Sequence, residues 1–191
     1  MKIVFFDFDD EVINALQKEN EKYNNEKYEI IFENKSLLEI QEKYMTDINS
    51  VILVSPANSF GSMRGGIDYY INKYVFPNIE KLVQNEIGKM DYIYNKNCFF
   101  DKKQWKNKKY LPVGKSLMIK YNNHYLAVVP TMEYPKDINN TNNVELAMKS
   151  LLEMIKDYNV DYLLIPGLGS GIGGLEYDIM AKQMLEALYI T

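Results

Sequence analysis

Tyr162-Leu-Leu-Ile-Pro166-Gly167-Leu-Gly169-Ser-Gly171-Ile-Gly173-Gly174 runs from a short apolar segment through a proline into five glycines within eight residues. The segment Tyr162–Ile165 has the length and composition of a buried strand. Pro166 cannot donate to a sheet ladder and ends it. Beyond the glycines, Leu175–Tyr189 places Ile179, Met180, Met184, Leu185 and Leu188 at helical spacing. A strand, a glycine loop and a helix in this order leave several backbone N–H groups exposed at a helix start. The helix dipole adds partial positive charge there, and glycine lets a ligand approach the backbone closely. The expected ligand carries a phosphate or a pyrophosphate. Gly169, Gly171 and Gly174 also satisfy G-x-G-x-x-G. Only 17 residues follow Gly174, however, and they read as helix. The acidic residue that a dinucleotide fold needs about 20 positions on is therefore missing, as is the Gly-Lys-Ser/Thr of a Walker loop.

Working outward, the same alternation recurs. Lys2–Phe6, Tyr28–Phe32, Val51–Val54 and the pair Lys115–Lys120 and Tyr125–Val129 read as strands. Asp9 or Asp10 can cap a helix with Val12, Ile13, Leu16 and Gln17 on one stripe. Ser36–Tyr44 reads as a short helix, and 67–90 as helix in two pieces broken at Pro77. Asn142 can cap a helix that buries Val144, Met148, Leu151 and Ile155. The fold class is therefore α/β, with helices layered on both faces of a central mixed, largely parallel sheet. Three strands run into prolines, Pro56, Pro130 and Pro166, and glycine clusters follow two of them. Ligands of open α/β sheets bind beyond the carboxyl ends of strands, so these ends locate the site.

The 191 residues suit one domain, 1–191, with the polar, lysine-rich segment 91–112 as an insertion or long loop. The apolar fraction of 47% is ordinary for a globular chain. No apolar run is long enough to span a membrane, and the apolar start is too short for a signal peptide. A cytoplasmic location and no membrane partner are expected. A single cysteine, Cys98, and a single histidine, His124, exclude a disulfide framework and a multi-Cys or multi-His metal site. No cofactor is expected. The net charge of −4 gives no general attraction to nucleic acid.

The second informative stretch is Ser55-Pro-Ala57-Asn58-Ser-Phe-Gly-Ser-Met-Arg64-Gly65-Gly66-Ile67-Asp68. Asn58 can donate and accept, which suits the vicinal hydroxyls of a sugar. Asp68 stands where the next helix begins, a frequent capping position. These loops together resemble those of the macro domain, the ADP-ribose-binding module. That family reads roughly N-A-A-N-S, then G-G-G-V-D, then A-L-G-T-G-I-x-G, and Asn58 and Asp68 keep the ten-residue separation of its hydrolytic members. The resemblance runs from about Tyr28 to Tyr189. It is similar in detail to a bacterial and viral subgroup with V-S-P-A-N-S in the first loop.

The resemblance implies a three-layer α/β/α fold with ADP-ribose lying along the rim. The pyrophosphate would rest on Gly169, Ser170, Gly171, Ile172, Gly173 and Gly174. The distal ribose would sit among Ala57, Asn58, Gly65, Gly66 and Ile67. Asn58 and Asp68 would be catalytic, the carboxylate positioning or activating water at the anomeric carbon. The implied activity is hydrolysis of an ADP-ribosyl bond. The alternative is a non-catalytic reader, or a sensor or sponge for an NAD-derived nucleotide. The partner would be ADP-ribose or an ADP-ribosylated macromolecule, with nucleic acid entering only as a modified substrate. Two departures stand out. The family's adenine-reading G-D-I aligns with Lys35-Ser36-Leu37, leaving Ser36 to meet the base. Gly173 replaces an aromatic residue beside the distal ribose.

Other motifs carry less. Asp7-Phe-Asp9 mimics the opening of a metal-dependent phosphatase, but the later strands end without acids, and a strand end leading into a helix cap is the better reading. Lys102-Lys-Gln-Trp105-Lys-Asn-Lys-Lys109 could follow a phosphate backbone, but reads better as a solvated loop with an anchored ring. Arg64 could meet a phosphate or a carboxylate, or be solvated. His124 reads as a surface turn residue. Cys98 has no base partner in view.

Overall fold

In the computed structural model, residues 1–23, 28–96, 99–100 and 103–190 are described. Cys98 and Lys102 lie outside them. The elements run β1 (Lys2–Asp7), α1 (Asp10–Asn20), β2 (Glu29–Asn34), α2 (Leu37–Tyr44), β3 (Val51–Ser55), α3 (Gly66–Tyr70), a π-helical turn (Ile71–Val75) and α4 (Ile79–Gly88). They continue with a two-stranded ribbon of β4 (Phe99–Phe100) and β5 (Lys103–Gln104), then β6 (Leu117–Tyr121), β7 (His124–Val128), α5 (Asn143–Met154), β8 (Tyr162–Pro166) and α6 (Tyr177–Ile190). The six-stranded sheet has the order β2-β1-β8-β3-β7-β6. All neighbours are parallel except β6, which pairs antiparallel with β7 across Asn122-Asn123.

The period of two along each strand builds the layers. Ile3 and Phe5 of β1, Ile52 and Val54 of β3, and Leu163 and Ile165 of β8 pack with α1, α5 and α6. Val4, Phe6, Val51, Leu53 and Leu164 point the other way, toward α2, the π-helical turn and α4. Because both faces are covered, β3 is buried at every position, as a central strand of a parallel sheet must be. Among the described residues, no helix is long and apolar enough to cross a membrane.

Several local expectations are corrected. Asn142 makes no side-chain cap; Gln183 Oε1 of α6 instead accepts the N–H groups of Val144 and Glu145, both at 3.2 Å. The tertiary neighbour supplies what the local residue does not. In α1 the buried stripe is Val12, Ile13, Ala15, Leu16 and Glu19, while Gln17 is exposed. Ile179 of α6 is exposed, because Met180, Met184 and Leu188 already fill that face. His124 is not a turn residue: it opens β7 half-buried, its Nδ1 has no partner, and burial lowers its pKa.

Candidate functional site

The sheet order sets the site. At the carboxyl ends of the strands, residues 35–38 follow β2, 8–9 follow β1, 167–173 follow β8, 56–68 follow β3, and 131–135 follow β7. Residues from all five ends line one cleft of about 930 Å³. Both glycine loops therefore meet at one rim, on adjacent strands.

The loop after β8 is shaped by close approach. Gly169 is left-handed at φ +80°, and a Cβ there would lie 2.8 Å from Val144. At Gly173 a Cβ would lie 2.4 Å from the Gly169 carbonyl oxygen and 2.8 Å from Ile138. A side chain of any size thus has no room at 173. The Gly173 carbonyl accepts from Ile138 N–H (2.9 Å), and Gly174 and Leu175 donate back to Gly171 and Gly169 at 3.0 and 3.2 Å. Among the described residues, the N–H groups of Ser170, Gly171, Ile172 and Gly173 donate to no protein acceptor. A run of unused N–H donors on a loop that lines the cleft has the chemistry an anion nest requires.

Asp68 lies on the facing wall, in the first turn of α3. Only 8% of it is exposed. Ser55, the last residue of β3, donates its hydroxyl to Asp68 Oδ1 at 2.6 Å and accepts the Ala57 N–H at 3.3 Å. Burial pushes the Asp68 carboxyl up to about 7, and the Ser55 hydrogen bond opposes part of that rise. The carboxyl is therefore poised to exchange a proton near neutral pH. Asn58 is held differently. Its Oδ1 accepts from the N–H groups of Phe60 (3.1 Å) and Ser62 (3.2 Å), which fixes the loop in an Asx turn. Its amide end is thus the group it can offer a ligand, as a donor.

Asn58, Asp68, Gly65, Gly66, Ile67, Gly169, Ser170, Gly171, Ile172, Gly173 and Ser36 all line the cleft. Ala57 is fully buried beneath the loop, and Gly174 is set back from the cleft lining. Ser36 is committed locally. Its hydroxyl donates to Glu39 at 2.7 Å and caps α2 by accepting the Glu39 N–H at 3.5 Å, in a complete capping box. Arg64 lines the cleft too, with Nε 3.5 Å from Glu80. Trp105 is anchored, its ring tilted against Phe60 with centroids 4.2 Å apart, in a cluster with Tyr94 and Tyr110. Asp9 caps α1 through Glu11 N–H and takes the Tyr177 hydroxyl at 2.8 Å.

Among the lining residues that sequence reasoning did not assign to the site are Asp7 at the end of β1, Phe8 after it, Tyr70 of α3, and Thr131, Met132 and Pro135 after β7. Their placement depends on which strands are neighbours, and no local pattern reports that.

The macro domain model matches residues 54–184. The chain belongs to the macro domain family. A DNA ADP-ribosyl transferase–DNA ADP-ribosyl glycohydrolase fusion protein of Thermosipho africanus is 24% identical over 136 residues, covering 71% of this chain and 35% of that longer protein. Among solved structures, the macrodomain of Thermus aquaticus DarG superposes with TM-score 0.54 at 19% identity, covering 81% of this chain and 86% of that one. The Oceanobacillus iheyensis macrodomain with ADP gives TM-score 0.56 at 16% identity, covering 73% and 68%. These likenesses bear on the fold. In this macro domain, β1 precedes the matched residues altogether.

Proposed function

We propose that this macro domain binds ADP-ribose along the rim and hydrolyses an ADP-ribosyl bond on a modified macromolecule. The observation that carries the reading is the opposition of two features across one cleft: unused N–H groups on the β8 loop and the buried carboxyl of Asp68 after β3. The pyrophosphate rests on the N–H groups of 170–173, and the distal ribose lies between the loops, with the Asn58 amide donating to a hydroxyl. Water then attacks the anomeric carbon. It passes a proton to the Asp68 carboxylate as the bond to the acceptor breaks, and Asp68 hands that proton on to the departing acceptor. The fusion protein from Thermosipho africanus supports nucleic acid as one acceptor to test. The single cysteine suits a reducing compartment, and we place the reaction in the cytoplasm.

One observation favours a second reading, a non-catalytic reader or sponge. Asn58 Oδ1 is already tied into its own loop, so part of the sugar recognition is given up to loop geometry. The deciding experiment incubates the protein with mono-ADP-ribosylated protein and DNA and measures free ADP-ribose. Hydrolysis predicts release that Asp68→Ala abolishes while ADP-ribose still binds. Binding without release by the unaltered protein selects the reader.

A further inference from the structure

The helical segment that starts beside Asp68 turns outward a face the core does not use. Ile71 and Val75 are buried against the sheet, while Tyr69, Tyr70 and Tyr74 are 39%, 49% and 47% exposed. Spacings of about four residues bring these rings and Lys73 together. Tyr70 and Tyr74 stack with centroids 6.0 Å apart, and Tyr69 and Tyr70 meet edge to face at 5.5 Å. Lys73 donates to the Tyr69 hydroxyl at 2.8 Å and stands 5.0 Å from the Tyr74 ring centroid. The rings hold one another in place before any partner arrives, so stacking on them costs little entropy. This platform is continuous with the cleft, because Tyr70 also lines it. In the hydrolase reading the broken bond lies at Asp68, so the acceptor must lie beside α3.

Charge selects that acceptor. Segment 91–112 holds six lysines against two aspartates, a net +4 in a chain of net −4. It is fixed to the same β3 loop that leads into α3: Leu111 N–H donates to the Ser59 carbonyl at 2.8 Å, and Trp105 packs on Phe60. Lys106 and Lys108 are exposed, and among the described residues neither pairs with a carboxylate. Half-exposed rings and unpaired lysines flanking one loop match the stacking and backbone charge of an unpaired strand of bases. A duplex hides its base faces, and an acidic peptide would leave the rings unused. We propose that this face docks the acceptor and that the acceptor is single-stranded nucleic acid. Its bases stack on Tyr70 and Tyr74, and its phosphates meet the lysines of the insertion. The proposal rests on the ADP-ribose hydrolase reading above and names the substrate class of that site.

Fluorescence anisotropy with a labelled oligonucleotide of about 10 bases tests the platform by itself. The unaltered protein should bind the single strand at least about tenfold more tightly than the duplex, with an affinity that falls as salt rises. Tyr74→Ala should weaken the single strand by about tenfold, whereas Tyr74→Phe keeps the ring and stays within about twofold. Lys106→Gln combined with Lys108→Gln should lower the salt slope by about one. The link to the cleft is read in the Asp68→Asn protein, which leaves a modified ligand uncleaved. There a mono-ADP-ribosylated oligonucleotide should bind at least about tenfold more tightly than ADP-ribose, and a mono-ADP-ribosylated peptide should show no such gain. A single strand bound no better than the duplex overturns the inference. So does a Tyr74→Ala affinity that does not move, an unchanged salt slope, or a peptide that gains as much as the oligonucleotide. Calorimetry with ADP-ribose separates the two readings. Where ADP-ribose binds, the ADP-ribose reading survives each of these failures; where it does not bind, that reading falls and the acceptor assignment falls with it.

Discussion

Ser55 and Asp68 are 13 residues apart in the chain, yet the Ser55 hydroxyl lies 2.6 Å from the Asp68 carboxyl. The last residue of a central strand thus holds the candidate catalytic carboxyl in the first turn of the next helix. The pair is buried, and burial places the carboxyl near neutrality.

That placement has a stability consequence with a definite sign. An unfolded Asp titrates near its ordinary value of 3.8, and the folded one near 7. Between these values the folded state holds the extra proton. Stability therefore falls as pH rises through the window from about 4 to 7, at up to about 1.4 kcal/mol per pH unit. Asp68→Asn removes this loss. Its stability relative to the unaltered protein should improve by about 2–4 kcal/mol between pH 5 and pH 8. Urea unfolding at the two pH values measures it, and a constant difference refutes the burial of the charge.

Ser55→Ala takes away a hydrogen bond that favours the ionised carboxylate and leaves the Ala57 N–H without its acceptor. A cost of about 1–3 kcal/mol in unfolding free energy is expected. The acidic limb of the ADP-ribose release rate, with its inflection near the Asp68 value of about 7, should move to higher pH. A rate profile that keeps its inflection would show that Ser55 does not tune Asp68.

The β8 loop separates glycines that shape from glycines that merely leave space. Gly173→Ala puts a methyl 2.4 Å from the Gly169 carbonyl oxygen and should displace the nest, with at least about tenfold weaker ADP-ribose binding. At Gly171 nothing lies within 4 Å of an added Cβ. Gly171→Ala should keep unfolding stability within about 0.5 kcal/mol. Thermal unfolding and calorimetry on both variants distinguish the two roles.

Gln183 ties α6 to the start of α5. Its carbonyl caps α5 through Val144 and Glu145, and its amide donates to the Thr141 carbonyl at 2.7 Å. Gln183→Ala should cost about 1–2 kcal/mol in denaturant unfolding, the scale of a lost helix cap. Asn142→Ala should cost far less, since that side chain makes no cap.

Much of this molecule was readable from local pattern. The apolar runs before Pro56, Pro130 and Pro166, the stripe of α5, and the two glycine loops all report chemistry within a few residues of themselves. Backbone propensity, side-chain periodicity and proline's missing donor act at that range. What local pattern could not report is adjacency. Asp7-Phe8-Asp9 looks like a strand end feeding a helix cap, and Asp9 is just that. Only the insertion of β1 between β2 and β8 brings Asp7 to the rim beside Gly167. Likewise Ser36 could be named but not its commitment to Glu39, and Asn142 offered a cap that Gln183, 41 residues later in the sequence, provides. Strand order, burial of a charge and the choice among competing hydrogen-bond partners are settled by packing between segments distant in the chain, because their energies depend on which groups exclude water together.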